Sequence, residues 1–116
     1  MKGTTIVIAR LQIEGIHRWD TCNIEEVSYL QNDHRHMFHI IAKVEVTHAD
    51  RDVEFIELSH KIKSYLTSKY RSSSYACVYF RSMSCEMIAR ELCEKFDLNE
   101  CEVNEDGEGG ALYINK

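Results

Sequence analysis

Two stretches of the chain alternate apolar and polar residues with a period of two, the spacing of a strand that is buried on one face. In residues 4–16 (TTIVIARLQIEGI), Val7, Ala9, Leu11 and Ile13 share one face, while Arg10, Gln12 and Glu14 share the other with Ile6 and Ile8. Residues 18–33 are polar and irregular, predicting a long connection with a helical turn at 24–30. Residues 35–48 (RHMFHIIAKVEVTH) give the clearest alternation, with Phe38, Ile40, Ala42, Val44 and Val46 on one side and His39, Lys43, Glu45 and Thr47 on the other. The run Ala49-Asp50-Arg51-Asp52 ends it.

From residue 53 the period lengthens to about 3.6, and Phe55, Leu58, Ile62, Tyr65 and Leu66 fall on one stripe of an amphipathic helix predicted over 54–68. Residues 69–83 are rich in Ser and Tyr, with YACVYF as a short extended piece. A second helix is predicted over 84–96, with Ser84 as its N-cap and Ile88, Ala89, Leu92 and Phe96 as its apolar stripe. Residues 101–104 and 111–115 read as two closing strands around the loop 105–110. The predicted order is strand, strand, helix, helix, strand, strand: an α+β domain over residues 1–116, with a four-stranded antiparallel sheet and both helices packed on one face.

Composition narrows the function classes. The 116 residues carry 14 Lys and Arg against 19 Asp and Glu, a formal charge of -5. That balance argues against nonspecific nucleic-acid binding, which needs a basic face. No apolar run approaches the length of a membrane span, and MKGTTIVIAR does not have the form of a signal peptide, so the expected location is cytoplasmic and no membrane partner is expected. The five cysteines, 22, 77, 85, 93 and 101, include no CxxC pair and are expected to be reduced. Lys61, Lys63, Lys69 and Arg71 read as a solvated helix face, or as a collar for an anionic ligand.

Chemistry is concentrated in the histidines. His34 and His36 are two apart on a predicted strand, so their imidazoles project together on the face of Phe38 and Ile40. His17 extends the parity of Val7 to Ile13, and sequential strands are natural neighbours, which brings it toward the pair. Three imidazoles with a fourth position left open describe a catalytic-type zinc site. The competing reading is surface histidines at a strand end. His39, His48 and His60 read as ordinary, His39 pointing to the opposite face. The acidic, Gly-rich segment 103–110 is either a solvated turn or, through a strand-end carboxylate, a grip for an N–H/NH₂ edge.

In this order the pieces resemble the 6-pyruvoyl-tetrahydropterin synthase and 6-carboxytetrahydropterin synthase family, which has the tunnelling fold. Ile16-His17-Arg18-Trp19 resembles the context of that family's first zinc histidine, and His34-Arg35-His36-Met37-Phe38 is similar to its HGHSY motif. Val53 to Leu58 resembles the segment that opens its first helix, and Ser84-Cys85-Glu86-Met87-Ile88-Ala89 resembles its TSENLA segment. Val103-Asn104-Glu105 stands where the family places the glutamate that anchors the pterin ring. The resemblance implies zinc on His17, His34 and His36, and a ligand beside Glu105, Ser84 and Cys85.

The departures bear on catalysis. The synthases carry a cysteine four residues before the HxH, where this chain has Leu30, and Cys22 is the only upstream thiol. They carry an Asp-His pair before the TSENLA-like segment, whereas residues 66–83 here contain neither Asp nor His. Arg35 replaces the central Gly of HGH. Catalytic residues stay unassigned, with Cys77, Tyr75, Tyr79 and His60 candidates by location alone. Three readings follow: a zinc-dependent lyase acting on a pterin- or purine-derived molecule; a non-catalytic protein that sequesters a nucleotide-like ligand, as a bacteriophage protein capturing a host signal would; or an assembly module with vestigial histidines. The resemblance also implies a homo-oligomer, with a hexamer expected, in which Glu105 serves a site whose zinc is held by a neighbouring chain.

Overall fold

The computed structural model describes residues 3–116. Strands β1 (Thr5–His17) and β2 (His34–Val46) form a long antiparallel hairpin, bridged by a connection that contains a 3₁₀ segment at Glu25–Gln31. Helix α1 (Phe55–Lys69), strand β3 (Val78–Arg81), helix α2 (Cys85–Phe96), and strands β4 (Glu100–Glu105) and β5 (Gly109–Ile114) follow.

The sheet has five strands in the order β3-β1-β2-β4-β5, and β3 runs parallel to β1. This corrects the expected four-stranded antiparallel sheet of order ββααββ: the observed order is ββαβαββ. The extra strand is the core of YACVYF. Its four residues alternate buried Val78 and Phe80 with Tyr79 and Arg81, too short a run to fix a strand by periodicity alone. The closing strands also exceed their predicted bounds, so that Glu105 ends β4 rather than opening the loop.

Each helix stops and starts where its capping chemistry dictates. The Glu54 carboxylate accepts hydrogen bonds from the backbone N–H of Ile56 (3.1 Å) and Glu57 (2.9 Å), opening α1. Ser84 Oγ accepts from Met87 N–H at 3.2 Å, as its predicted capping role requires. Asp97, in the left-handed region at φ 53°, closes α2.

Both helices contribute to one core on one face of the sheet: Leu58, Ile62 and Leu66 from α1, and Ile88, Ala89, Leu92 and Cys93 from α2. Against them stand the inward residues of the strands, among which Ala9, Phe38, Ile40, Ala42, Phe80 and Val103 are fully buried. Large side chains of this kind contribute roughly 1.5–3 kcal/mol each by leaving water. The opposite sheet face carries exposed Ile6, Ile8, Leu112 and Ile114. Among the described residues, no helix is long and apolar enough to cross a membrane.

Gly15 interrupts the inward row of β1. A Cβ there would lie 2.8 Å from the Phe80 ring and 3.0 Å from the Phe38 ring, so its missing side chain is what lets the two aromatics, 5.0 Å apart, close over the backbone opposite His36. Gly15→Ala is expected to destabilise the fold by about 1–3 kcal/mol through overpacking, because both rings are fully buried and have no room to retreat. Urea unfolding with an unchanged m-value checks this.

A polar knot ties the helices together. Glu91 of α2 accepts hydrogen bonds from Tyr70 (2.6 Å), Tyr65 (2.8 Å) and Lys69 (2.9 Å) at the end of α1. Burial works against the Glu91 charge, but the bonds from Tyr70, Lys69 and Tyr65 outweigh it and hold the carboxyl below its ordinary value of 4.5. A group whose folded pKa is depressed stabilises the fold above its unfolded pKa and loses that contribution as pH falls through the folded one. Glu91→Ala is therefore expected to cost about 1–3 kcal/mol at neutral pH and to flatten the loss of stability below pH 4.5. Thermal melts of both proteins between neutral and acid pH measure it.

Candidate metal centre

The hairpin register builds the centre. His17 lies opposite His34, and Gly15 opposite His36, at the end of the sheet where the inward row of apolar residues stops. Because inward positions on β1 are odd and on β2 even, all three imidazoles emerge on the helix-covered face. On β4, Phe38 pairs with Glu105, which therefore shares that face. The ring centroids are 4.6 Å apart for His17 and His34, 5.3 Å for His17 and His36, and 4.9 Å for His34 and His36. Phe38 forms the floor, its ring edge-on to those of His17 and His36.

Each imidazole is oriented through the same nitrogen. His17 Nδ1 lies 2.8 Å from the carbonyl oxygen of Met83, His34 Nδ1 2.8 Å from that of Asn32, and His36 Nδ1 2.7 Å from Asp106 Oδ2. These partners only accept, so each Nδ1 carries a proton and donates it. At His34 and His36 a neutral imidazole held in that way presents a bare Nε2 lone pair, the arrangement that metal-binding histidines use, whereas His17 Nε2 faces Glu105 at 2.9 Å. One donor atom from each of the three lies within 4.8 Å of the others. Among the described residues, the only buried side-chain nitrogen or oxygen without a hydrogen-bond partner is His36 Nε2. Glu105 Oε1 stands 3.5 Å from it, close enough for electrostatic attraction but outside hydrogen-bonding geometry.

Charge in the centre is redistributed accordingly. Burial lowers the His17 pKa, but the bonds to Glu105 (2.9 Å from Nε2) and to the Met83 carbonyl outweigh it and raise it. Burial lowers the His34 pKa, and repulsion by the two neighbouring histidines adds to that. Burial also opposes the Glu105 charge, yet the hydrogen bond from His17 and the nearby positive charge hold its pKa down. The Cys85 thiol donates to Glu105 Oε2 at 3.7 Å, and burial together with the Glu105 charge pushes its pKa up to about 12. Cys85 is thus a protonated thiol at neutral pH, unsuited to nucleophilic attack.

The centre forms one wall of a cavity of about 640 Å³. Ser84 and Cys85 at the start of α2 line it, as does Glu105; so do Trp19, Leu30 and Met87, which supply apolar surface. All six residues singled out from the sequence, His17, His34, His36, Glu105, Ser84 and Cys85, are brought to this one place. Glu105 reaches the histidines of its own chain, which corrects the expectation that it serves a neighbour's zinc.

The residues considered by location alone lie elsewhere. Cys77 and Tyr75 line a second cavity, and His60 lines a groove beside α1. Tyr79 and Tyr75 donate to Asp33 at 3.1 and 2.6 Å. They pin the residue between Asn32, whose carbonyl holds His34, and His34 itself. Cys22 is buried within its own connection. Of the basic run, Lys69 belongs to the Glu91 knot and Lys61 pairs with Glu57, and neither Lys63 nor Arg71 reaches the histidine cavity.

Three residues that orient the histidines escaped the sequence reading: Asn32, Met83 and Asp106. Two act through backbone carbonyls, for which side-chain identity gives no signal. Asp106 had one, since an acidic residue one position beyond a strand end can fold back on the neighbouring strand. It does so at φ 58°, its carboxylate accepting from Met37 N–H at 2.8 Å as well as from His36.

No family model matches the chain, and no relative is found among curated proteins. Solved structures do match. An uncharacterized protein, WS1659, from Wolinella succinogenes superimposes with a TM-score of 0.73 at 13% identity, covering 99% of this chain and 100% of its own. The 6-pyruvoyl tetrahydropterin synthase of Caenorhabditis elegans does so with a TM-score of 0.66 at 13% identity, covering 98% of this chain and 97% of its own. At such identity the likeness establishes the fold, which is pterin-synthase-like over nearly the whole chain.

The orientation through Nδ1 has a direct readout. Nitrogen NMR of metal-free protein at alkaline pH is expected to show His34 and His36 protonated at Nδ1, with His36 losing that preference in Asp106→Ala while His34 keeps it. Nε2 protonation of His36 in the unaltered protein would contradict this geometry.

Proposed function

We propose that this chain binds zinc through His17, His34 and His36 and holds a pterin- or purine-derived small molecule in the adjoining cavity. The observation that carries this reading is the convergence of three imidazoles whose Nδ1 atoms are all committed elsewhere, leaving His36 Nε2 buried without a partner. A buried polar atom left unsatisfied is costly, and a cation shared with two further imidazoles satisfies it. Zinc there would supply Lewis acidity toward an oxygen or nitrogen of the bound molecule. Glu105 offers paired oxygens to an N–H/NH₂ edge, Ser84 and Cys85 border the same space, and Trp19 and Met87 offer it apolar contact.

Capture is favoured over turnover by a second observation. Leu30 projects into the cavity in place of a cysteine, Cys85 is a firmly protonated thiol, and Tyr75, Tyr79, Cys77 and His60 are not among the cavity-lining residues. A lyase needs a group within hydrogen-bond reach of the proton it moves. The alternative, a zinc-dependent lyase resembling the pterin synthases, rests on the same metal and would need that group from another subunit.

Two further properties go with this reading. Strands β3 and β5 are sheet edges, and the uncovered face exposes Ile6, Ile8, Leu112 and Ile114. Open edges beside apolar surface favour a homo-oligomer, for which a hexamer is the proposed form. Five cysteines without a disulfide agree with a reducing, cytoplasmic setting.

Native mass spectrometry of untagged protein prepared without chelator tests the reading. One zinc per chain is expected, lost in His36→Ala and weakened about 10- to 100-fold in Asp106→Ala, whose carboxylate orients His36. A retained small molecule that persists in the absence of product would favour capture. An oligomer with neither metal nor ligand would leave the histidines without this function, and a monomer would remove the assembly.

A further inference from the structure

Glu105 is placed more deliberately than a ligand-anchoring residue requires. It ends β4 opposite Phe38, so the strand register, not a flexible loop, sets its direction. Its Oε2 lies 2.9 Å from His17 Nε2, its Oε1 lies 3.5 Å from His36 Nε2, and the Cys85 thiol holds Oε2 at 3.7 Å. An ion pair with a protonated His17 accounts for the first contact. It does not account for the second, where an oxygen stands beside a nitrogen that has no hydrogen-bond partner.

A shared metal accounts for both. With zinc bonds of roughly 2.0–2.1 Å, the edges of a tetrahedral donor set are about 3.3–3.4 Å long. The two oxygen-to-imidazole separations, 2.9 Å from Oε2 and 3.5 Å from Oε1, lie on either side of that length. The imidazole donors, spread over as much as 4.8 Å, have to draw in to reach it. The carboxylate thus already stands beside two of the three nitrogens at about the spacing of a fourth donor, one oxygen facing each.

We propose that Glu105 is the fourth ligand of the metal, completing a set of three histidines and one carboxylate that closes the site at rest. This rests on the zinc reading above and changes its meaning. The coordination position that the sequence leaves open is filled by the chain itself, and it opens when an incoming molecule with an N–H edge takes the carboxylate from the metal. Ligand capture and metal exposure are then one event, because a single carboxylate serves both.

Cobalt-loaded protein tests this with azide as the probe. The expected visible spectrum of the unaltered protein is that of a four-coordinate site that added azide leaves unchanged. Glu105→Ala is expected to bind cobalt at least about tenfold more weakly and to give a spectrum that shifts with azide. A spectrum of the unaltered protein that shifts with azide, together with equal cobalt affinity in Glu105→Ala, would overturn the role of Glu105 and leave the three-histidine site standing. Failure of the unaltered protein to bind cobalt or zinc would overturn the metal reading itself. The azide titration of unaltered protein needs no substitution, so the test holds even if Glu105→Ala does not fold.

Discussion

The antiparallel register between β1 and β2 is the constraint on which the rest of this structure depends. It pairs Ala9 with Ala42, Leu11 with Ile40 and Ile13 with Phe38, and the same parity carried two steps further sets His17 against His34. A slip of one residue would turn the whole inward row of one strand to the outer face. The apolar positions therefore enforce the register, and the histidines take their geometry from it. Stability of the core and assembly of the centre are in this sense one requirement, met by a hairpin of 13 paired residues on each strand.

Orientation is a separate matter from placement, and it comes from three distant parts of the chain. Asn32 belongs to the connection between β1 and β2, Met83 to the link between β3 and α2, and Asp106 to the turn after β4. Met83 is itself held, since its sulfur lies 2.9 Å from the Tyr70 hydroxyl, whose proton goes to Glu91. The knot between the helices thus reaches the His17 ring through one backbone carbonyl. On the other side, Tyr75 and Tyr79 pin Asp33 and with it the entry to β2. Residues 69–83, unreadable as a pattern, act as a brace for the histidines.

What was legible in the sequence was whatever depends on period. Both long strands, both helices, the Ser84 cap and the shared face of His17, His34 and His36 follow from spacing two or spacing 3.6, because burial on one face imposes those periods. Strand β3 is too short to show a period, and its parallel pairing with β1 is set by contacts between residues more than sixty positions apart. Asn32 and Met83 act through the backbone, which every residue type provides equally. Asp106 lies in a turn that composition does announce, but the left-handed backbone that aims its carboxylate at His36 does not follow from composition.

The same physics separates holding a metal from using it. The three histidines are fixed by sheet register and by acceptors drawn from three loops, so their placement does not depend on the residues around the cavity. A proton-transferring group is under no such constraint: it needs only to sit near the ligand, and it can be lost without disturbing the fold. Leu30 on the cavity wall is an apolar side chain that offers no proton to transfer. The capture proposed above follows from that contrast, in a cavity lined by Glu105, Ser84, Cys85 and Trp19 around three converging imidazoles.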